Sequence, residues 1–230
     1  MLPVTDLFLL QFQQTFGLHS FSRKCNEHLQ FSGVTFKMKQ DEIREKLIAG
    51  TIRVVARDGL DKASAKQIEA ETGLNVAYIY RCFKDKDDMF AKIFSMLSIE
   101  LRDALAVVLP VMANRDILRE ERCWQLFAPV WKFVLGNEEK CLYYRRYHYS
   151  AYFHKYSAKE HMEIFKDVIA VMGAYFRPDT DAAMILGHIL NVTLDFAVKV
   201  FAGEIKNDDE TSKHVFNLVF HSLTPYFRER

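Results

Sequence analysis

Gly73-Leu74-Asn75 constrains this 230-residue chain more than any other stretch, because of what stands on either side of it. Upstream, Ser64 is placed to cap a short helix from Ala65 to Thr72, with Ile68 facing inward. Downstream, Asn75 is placed to cap a helix of only two turns, Val76 to Phe83. Ahead of both, from Asp41, the residues Ile43, Leu47, Ile48, Val54 and Val55 form an apolar stripe at helical spacing. That stripe closes at Asp58-Gly59, where glycine can take the left-handed C-terminal position. Three helices in about fifty residues, the last pair joined by a tight turn containing glycine, have the geometry of a helix-turn-helix. One short helix can then enter the major groove of DNA while its partner crosses the phosphate backbone.

The rest of the chain reads as helices as well. Glycine and proline number 9 and 5, too few for the turns of a β-rich fold. Asp85 or Asp87 opens a fourth helix that runs to about Leu109, where Pro110 ends or kinks it. A long helix passes through Trp124 and Trp131 and closes at Gly136-Asn137. Further helices are expected from Glu139 to Tyr152, Ala158 to Phe176, Asp181 to Gly203 and Asp209 to Arg228. The last two carry broad stripes, Ile185, Leu186, Ile189, Val192, Phe196 on one and Phe216, Phe220, Leu223, Phe227 on the other.

The expectation is an all-α fold: a three-helix helix-turn-helix DNA-binding domain at 38–90 and a helical domain at 91–230. Residues 1–37 are different in character, rich in Phe, Gln and Ser with no sustained helical period. They read as an upstream extension, with Met38 as the natural start. The alternative is an arm that packs on the body or reaches a DNA groove.

The run Gly73-Leu74-Asn75-Val76-Ala77-Tyr78-Ile79-Tyr80-Arg81-Cys82-Phe83-Lys84-Asp85-Lys86 resembles the hallmark of the TetR family of transcriptional repressors. There a glycine turn leads into a helix with a small residue, an aliphatic and Tyr-x-x-Phe, and a lysine follows three residues after the Phe. The resemblance implies a homodimer that binds double-stranded operator DNA and releases it when a small-molecule effector binds. It places Asn75, Val76, Ala77, Tyr78 and Arg81 on the DNA-facing surface, with Tyr80 and Lys86 on phosphate and Ser64 and Lys66 holding the other flank. Leu74, Ile79 and Phe83 become the apolar hinge between the two helices. The final two helices would pair with their symmetry mates as a four-helix bundle, setting the half-site spacing at about one turn of DNA or a multiple.

Several positions depart from the family pattern. Glu69 and Thr72 stand where alanine is usual, Cys82 where histidine is common, and Tyr78 where Ser or Thr usually meets phosphate. The 38–90 segment is not basic either, its ten Lys and Arg being balanced by ten Asp and Glu. Non-specific DNA affinity scales with phosphate neutralisation, so it should be weak. The same balance supports an alternative, a helical protein-interaction module that has lost specific DNA binding.

For the effector, the aromatic run offers Tyr144, Tyr147 and His148 on one helix face, with Trp124, Phe127 and Trp131 on the helix before. Two readings stand: the rings are core, or they form an aromatic box in which Trp131 pairs with the tyrosines around a flat or cationic ligand. His188 reads as a core histidine. No metal site is expected, since His148 and His154 lie off-face and Glu160 and His161 are adjacent. No cofactor or enzymatic activity is expected: Gly-x-Ser-x-Gly, His-Glu-x-x-His and a phosphate-cradling glycine loop are all missing from the sequence. Four widely spaced cysteines, and no run of about 18 uninterrupted apolar residues, fit free thiols and a cytoplasmic chain without membrane contact.

Overall fold

The computed structural model describes the backbone of residues 31–229 and the side chains of residues 40–229. The chain divides into two units, 1–39 and 40–230, and the second carries the helix-turn-helix together with the helices after it. Residues 1–30, most of the expected extension, lie outside the described residues. The first described helix, α1, runs Phe31–Asp58, so it begins earlier than the Asp41 start read from the sequence.

Local capping sets most of the remaining boundaries. α1 gives way at Gly59, which takes φ +91° and returns its N–H to the Val55 carbonyl at 3.0 Å. α2, Ala65–Thr72, starts at Ser64 and ends at Gly73 with φ +66°. α3, Ala77–Cys82, follows, and Phe83 leaves it in an extended conformation. Of the two aspartates considered for the next helix, Asp85 is the cap, accepting from the Asp88 N–H at 2.8 Å. α4, Lys86–Val108, tightens into a 3₁₀ turn, Leu109–Ala113, at Pro110.

Five more helices complete the second unit: α5 Arg119–Leu135, α6 Glu138–His148, α7 Ala158–Gly173, α8 Ala182–Phe201 and α9 Asp209–Leu223. Aspartates cap the last two, Asp181 accepting from Ala183 and Met184, and Asp208 from Thr211. Among the described residues there is no strand, only an isolated antiparallel bridge between Phe176 and Phe227. It ties the end of the chain to the segment after α7 through Arg177 N–H to the Tyr226 carbonyl and Arg228 N–H to the Tyr175 carbonyl.

Three helix ends differ by three residues or more from the sequence reading. The expected helix to Tyr152 stops at His148, where the Ser150 hydroxyl bonds the Tyr147 carbonyl at 2.6 Å. A π turn, Phe153–Ser157, then leads into α7. α7 ends at Gly173 rather than Phe176, because Phe176 is drawn into the bridge. α9 ends at Leu223 rather than Arg228, since Pro225 has no N–H with which to continue.

The core is continuous from the first helices to the last. Leu47, Val54, Val55, Ile68, Ile79 and Phe83 close the α1–α3 unit against Met89 and Phe90 of α4. Beyond it α4 packs on α5, α6 and α7, so one helix runs from the helix-turn-helix into the middle of the larger bundle. α8 is apolar and long enough to cross a membrane by composition, but His188, Asn191, Asp195 and Lys199 interrupt it and its buried face packs on α6, α7 and α9.

Candidate nucleic-acid interface

Two charged pairs fix α2 against α1, and a hydroxyl ties the end of α2 to the turn. Glu71 accepts from Arg53 Nε at 2.6 Å and Arg57 Nη1 at 3.0 Å. These arginine bonds, Arg53 first, hold the Glu71 carboxyl below the usual carboxylate range. Arg53 and Arg57 are thus committed within the fold, with Arg57 also paired to Asp58. The Thr72 hydroxyl donates to the Ile68 carbonyl at 2.7 Å and accepts from the Leu74 N–H at 3.2 Å, joining the end of α2 to the turn. Threonine at this unusual position therefore has a structural task.

The turn delivers α3 with one face buried and the other open. Ile79 and Phe83 are buried and Leu74 is half-buried against them, as the hinge requires. Asn75 Oδ1 accepts from the Ala77 N–H at 2.9 Å, so it caps the start of α3 from one residue ahead of the formal cap. Asn75, Ala77, Tyr80 and Arg81 are exposed, Tyr80 to 62%. Val76 and Tyr78 are half-buried, and the Arg81 guanidinium lies over the Tyr78 ring at 5.3 Å. Exposed donors and rings on a two-turn helix are what base edges and phosphates require.

The flank differs in detail from the sequence reading. Ser64 forms a complete capping box with Gln67: its Oγ accepts from the Gln67 N–H at 3.3 Å, and its own N–H donates to Gln67 Oε1 at 3.0 Å. The hydroxyl is thereby engaged inside α2. The spacing Ser64-x-x-Gln67 carried this signal in the sequence. Lys66 is exposed. Lys86 is half-buried, its Nζ donating to the Ala63 carbonyl at 3.4 Å and lying 5.2 Å from the Phe90 ring centroid. Its charge therefore sits beside the start of α2. Lys84, not among the sequence candidates, is exposed at the end of α3.

The six aromatic candidates fall into two separate clusters. Phe94 of α4 stacks on Tyr144 at 4.9 Å and Tyr147 at 4.6 Å, with Phe153 edge-on and His148 and His161 beside them. Tyr144 Oη lies 2.8 Å from His161 Nε2, and Tyr147 Oη lies 2.9 Å from Ser157 Oγ. Burial, with His148 second, pushes the His161 imidazole down to about 4, and burial also lowers His148. Trp131 instead stacks on Phe127 and donates its indole N–H to Ser212 at 2.9 Å, while Trp124 meets Phe216 edge to face at 5.2 Å. Trp131 does not pair with the tyrosines, because α5 turns that face toward α9 rather than α6. His161, in the centre of the first cluster, was not among the sequence candidates. His188 is exposed and bonded to Ser222 at 2.8 Å, not a core histidine.

Three side chains join the two halves of the second unit. Arg146 of α6 donates to the Val55 carbonyl near the end of α1 at 2.8 Å. Tyr143 Oη donates to the Phe90 carbonyl, and Tyr156 Oη to Asp87. Hydroxyl and guanidinium hydrogen bonds from the larger bundle thus reach the end of α1 and the first turns of α4, on either side of α2 and α3 in the chain.

Comparison with known proteins agrees with this geometry. Residues 47–93 match the family described as bacterial regulatory proteins, tetR family. The chain is 39% identical over 46 residues to the HTH-type nicotine-responsive transcriptional repressor HdnoR of Paenarthrobacter nicotinovorans. That match covers 20% of this chain and spans only 24% of the relative's length. Among solved structures, a TetR family transcription regulator from Marinobacter aquaeolei superposes with a TM-score of 0.66 at 17% identity, over 81% of this chain and 97% of that one. A TetR-like transcriptional regulator from Rhodococcus sp. RHA1 gives 0.58 at 15% identity, over 79% and 95%.

Proposed function

We propose, from the match of residues 47–93 to the tetR family of bacterial regulatory proteins, that the chain is a ligand-responsive repressor acting on a palindromic operator. It binds double-stranded DNA as a homodimer in the cytoplasm and lets go when a small-molecule effector binds. The observation that carries the reading is the open face of α3, with Asn75, Ala77, Tyr80 and Arg81 exposed above a hinge of Ile79 and Phe83. Val76 and Tyr78 support that face from its edge. Lys66 and Lys86 flank it near the start of α2, where helix N–H groups also favour phosphate. Ser64 contributes through its cap rather than its hydroxyl.

The dimer reading draws on the outer side of α8 and α9. Met184 is 71% exposed and Leu218 55%, beside the His188–Ser222 bond that links the two helices. A second copy would cover these apolar side chains and set the two α3 helices at a fixed spacing. The effector then acts through its differential affinity for two spacings. The nicotine response of HdnoR belongs to that protein, and its match here lies in the helix-turn-helix, so it carries nothing about this chain's effector.

A second reading, a protein-docking module without specific DNA binding, is favoured only by the balanced charge of residues 38–90. Salt titration of binding to random duplex DNA separates the two. A steep fall in affinity with salt supports DNA binding through Lys66, Arg81 and Lys86. No binding at low salt supports the docking module.

A further inference from the structure

An apolar cavity of about 70 Å³ lies where the turn after α4 meets α5, α7, α8 and α9. Met112, Cys123, Phe127, Met172, Phe216 and Phe220 are among its walls, and no charged side chain lines it. Burial pushes the Cys123 thiol up to about 11, so that wall stays neutral at ordinary pH. The charges set behind the walls are mostly of one sign. The Arg119 guanidinium lies 4.9 Å from the Phe227 ring centroid, and Arg228 Nε donates to the Phe176 carbonyl at 2.6 Å. Glu120, the acid whose field reaches the Cys123 thiol, is exposed on the first turn of α5.

Arg122 is the unusual group. It is only 8% exposed, and its Nη1 donates to the carbonyl of Met112, a wall residue, at 2.8 Å. Its Nε is buried without a hydrogen-bond partner among the described residues, and none of their ion pairs includes it. A buried cation without an acid is costly, and an anionic group delivered beside it would relieve that cost.

We infer that this cavity is the effector site and that its ligand is a small amphipathic monoanion, an apolar body in the aromatic walls with its carboxylate directed past the Met112 carbonyl at Arg122, which stands behind the walls. The inference rests on the repressor reading. A dry cavity of about 150 Å³ admits benzene, so one of about half that size holds roughly three or four carbons as it stands. Met112 and Met172 have unbranched side chains that repack readily and allow a longer body. A cation would meet three arginines behind the walls and no acid in them.

The two tryptophans of the chain report on the site, since Trp124 touches Phe216 and Trp131 stacks on Phe127. Fluorescence titration of the full chain with hexanoate, 1-hexanol and hexylammonium tests the inference. Hexanoate is expected to bind at least tenfold more tightly than 1-hexanol, and hexylammonium most weakly. In Arg122→Met the hexanoate-to-hexanol ratio falls to near one, while Arg122→Lys keeps part of it. Cys123→Leu, which fills the cavity without touching a charge, abolishes the response to hexanoate, and it carries the test should Arg122→Met fail to fold. Equal affinity of the wild type for hexanoate and 1-hexanol, or no response to either, overturns the inference. Binding of random duplex DNA, measured on the same samples, keeps the two readings apart. DNA binding without a hexanoate response removes this site and leaves the repressor, whereas no DNA binding at low salt removes the repressor itself.

Discussion

Gly50 and Thr72 interlock at the crossing of α1 and α2: a Cβ placed on Gly50 would lie 2.2 Å from Thr72 Cγ2. Glycine in a helix interior costs about 1 kcal/mol relative to alanine. Here it makes room for the β-branched methyl of a threonine whose hydroxyl bridges Ile68 and Leu74. The pair positions the turn, and the turn positions the face of α3.

Gly50→Ala is therefore expected to destabilise the fold by about 1–2 kcal/mol, because a buried, stiff side chain has nowhere to go. Thr72→Ser keeps both hydrogen bonds and removes the offending methyl. In that background Gly50→Ala should become neutral or stabilising by up to about 1 kcal/mol. Chemical denaturation of the four proteins in the cycle checks this, and a penalty of the same size in both backgrounds would mean that the two residues do not interlock.

Arg146→Met removes the bond from α6 to the Val55 carbonyl. A charged donor on a half-buried carbonyl is worth about 1–2 kcal/mol, and the loss should appear locally. Faster hydrogen exchange of the Gly59 amide, which shares that carbonyl, is the expected signature. Unchanged exchange at the end of α1 would mean that Arg146 does not couple the bundle to the helix-turn-helix.

His161 gives the stability a pH dependence of known sign. Its imidazole titrates near 4 in the folded chain and near 6.5 when unfolded, so the unfolded chain binds the extra proton between these values. The stabilisation is complete above about pH 6.5 and is lost as the pH falls toward 4. The expected loss between pH 7 and pH 4.5 is about 2 kcal/mol, discounted because the ring is partly open to solvent. Urea unfolding at the two pH values should show it, with a smaller drop in His161→Gln. His148, lowered by burial, changes stability in the same direction. An equal drop in His161→Gln would assign the effect to other groups.

Leu218→Glu places a charge on the outer face of α9, where the side chain is already open in one chain. The proposed dimer should dissociate in sedimentation equilibrium while helical content is kept. A variant that sediments as the wild type does would place the second copy elsewhere.

The helices were legible where short-range chemistry sets them. Ser64 and Asp85 sit at their caps, and Gly59 takes the left-handed conformation expected of it. The exposed face of α3 was placed by the resemblance to the TetR hallmark, and the burial of Ile79 and Phe83 agrees with it by turning Tyr80 and Arg81 outward. What stayed hidden depends on which helix meets which. Periodicity places Trp131 and Tyr144 on faces, but only packing shows that one looks to Ser212 and the other to His161. Lys86 shows the same limit, because its reach to the Ala63 carbonyl spans elements far apart in the chain. The break at Ser150 was equally silent, since aromatic residues continue through it at helical spacing.

Whether the open face of α3 reads an operator is settled by selecting bound sequences from a random duplex pool, with the wild type and Tyr80→Ala side by side. The expected result is a palindromic motif with half-sites about one helical turn apart, enriched by the wild type and lost in the variant. No enriched motif at low salt, or a motif that Tyr80→Ala enriches equally well, would contradict it.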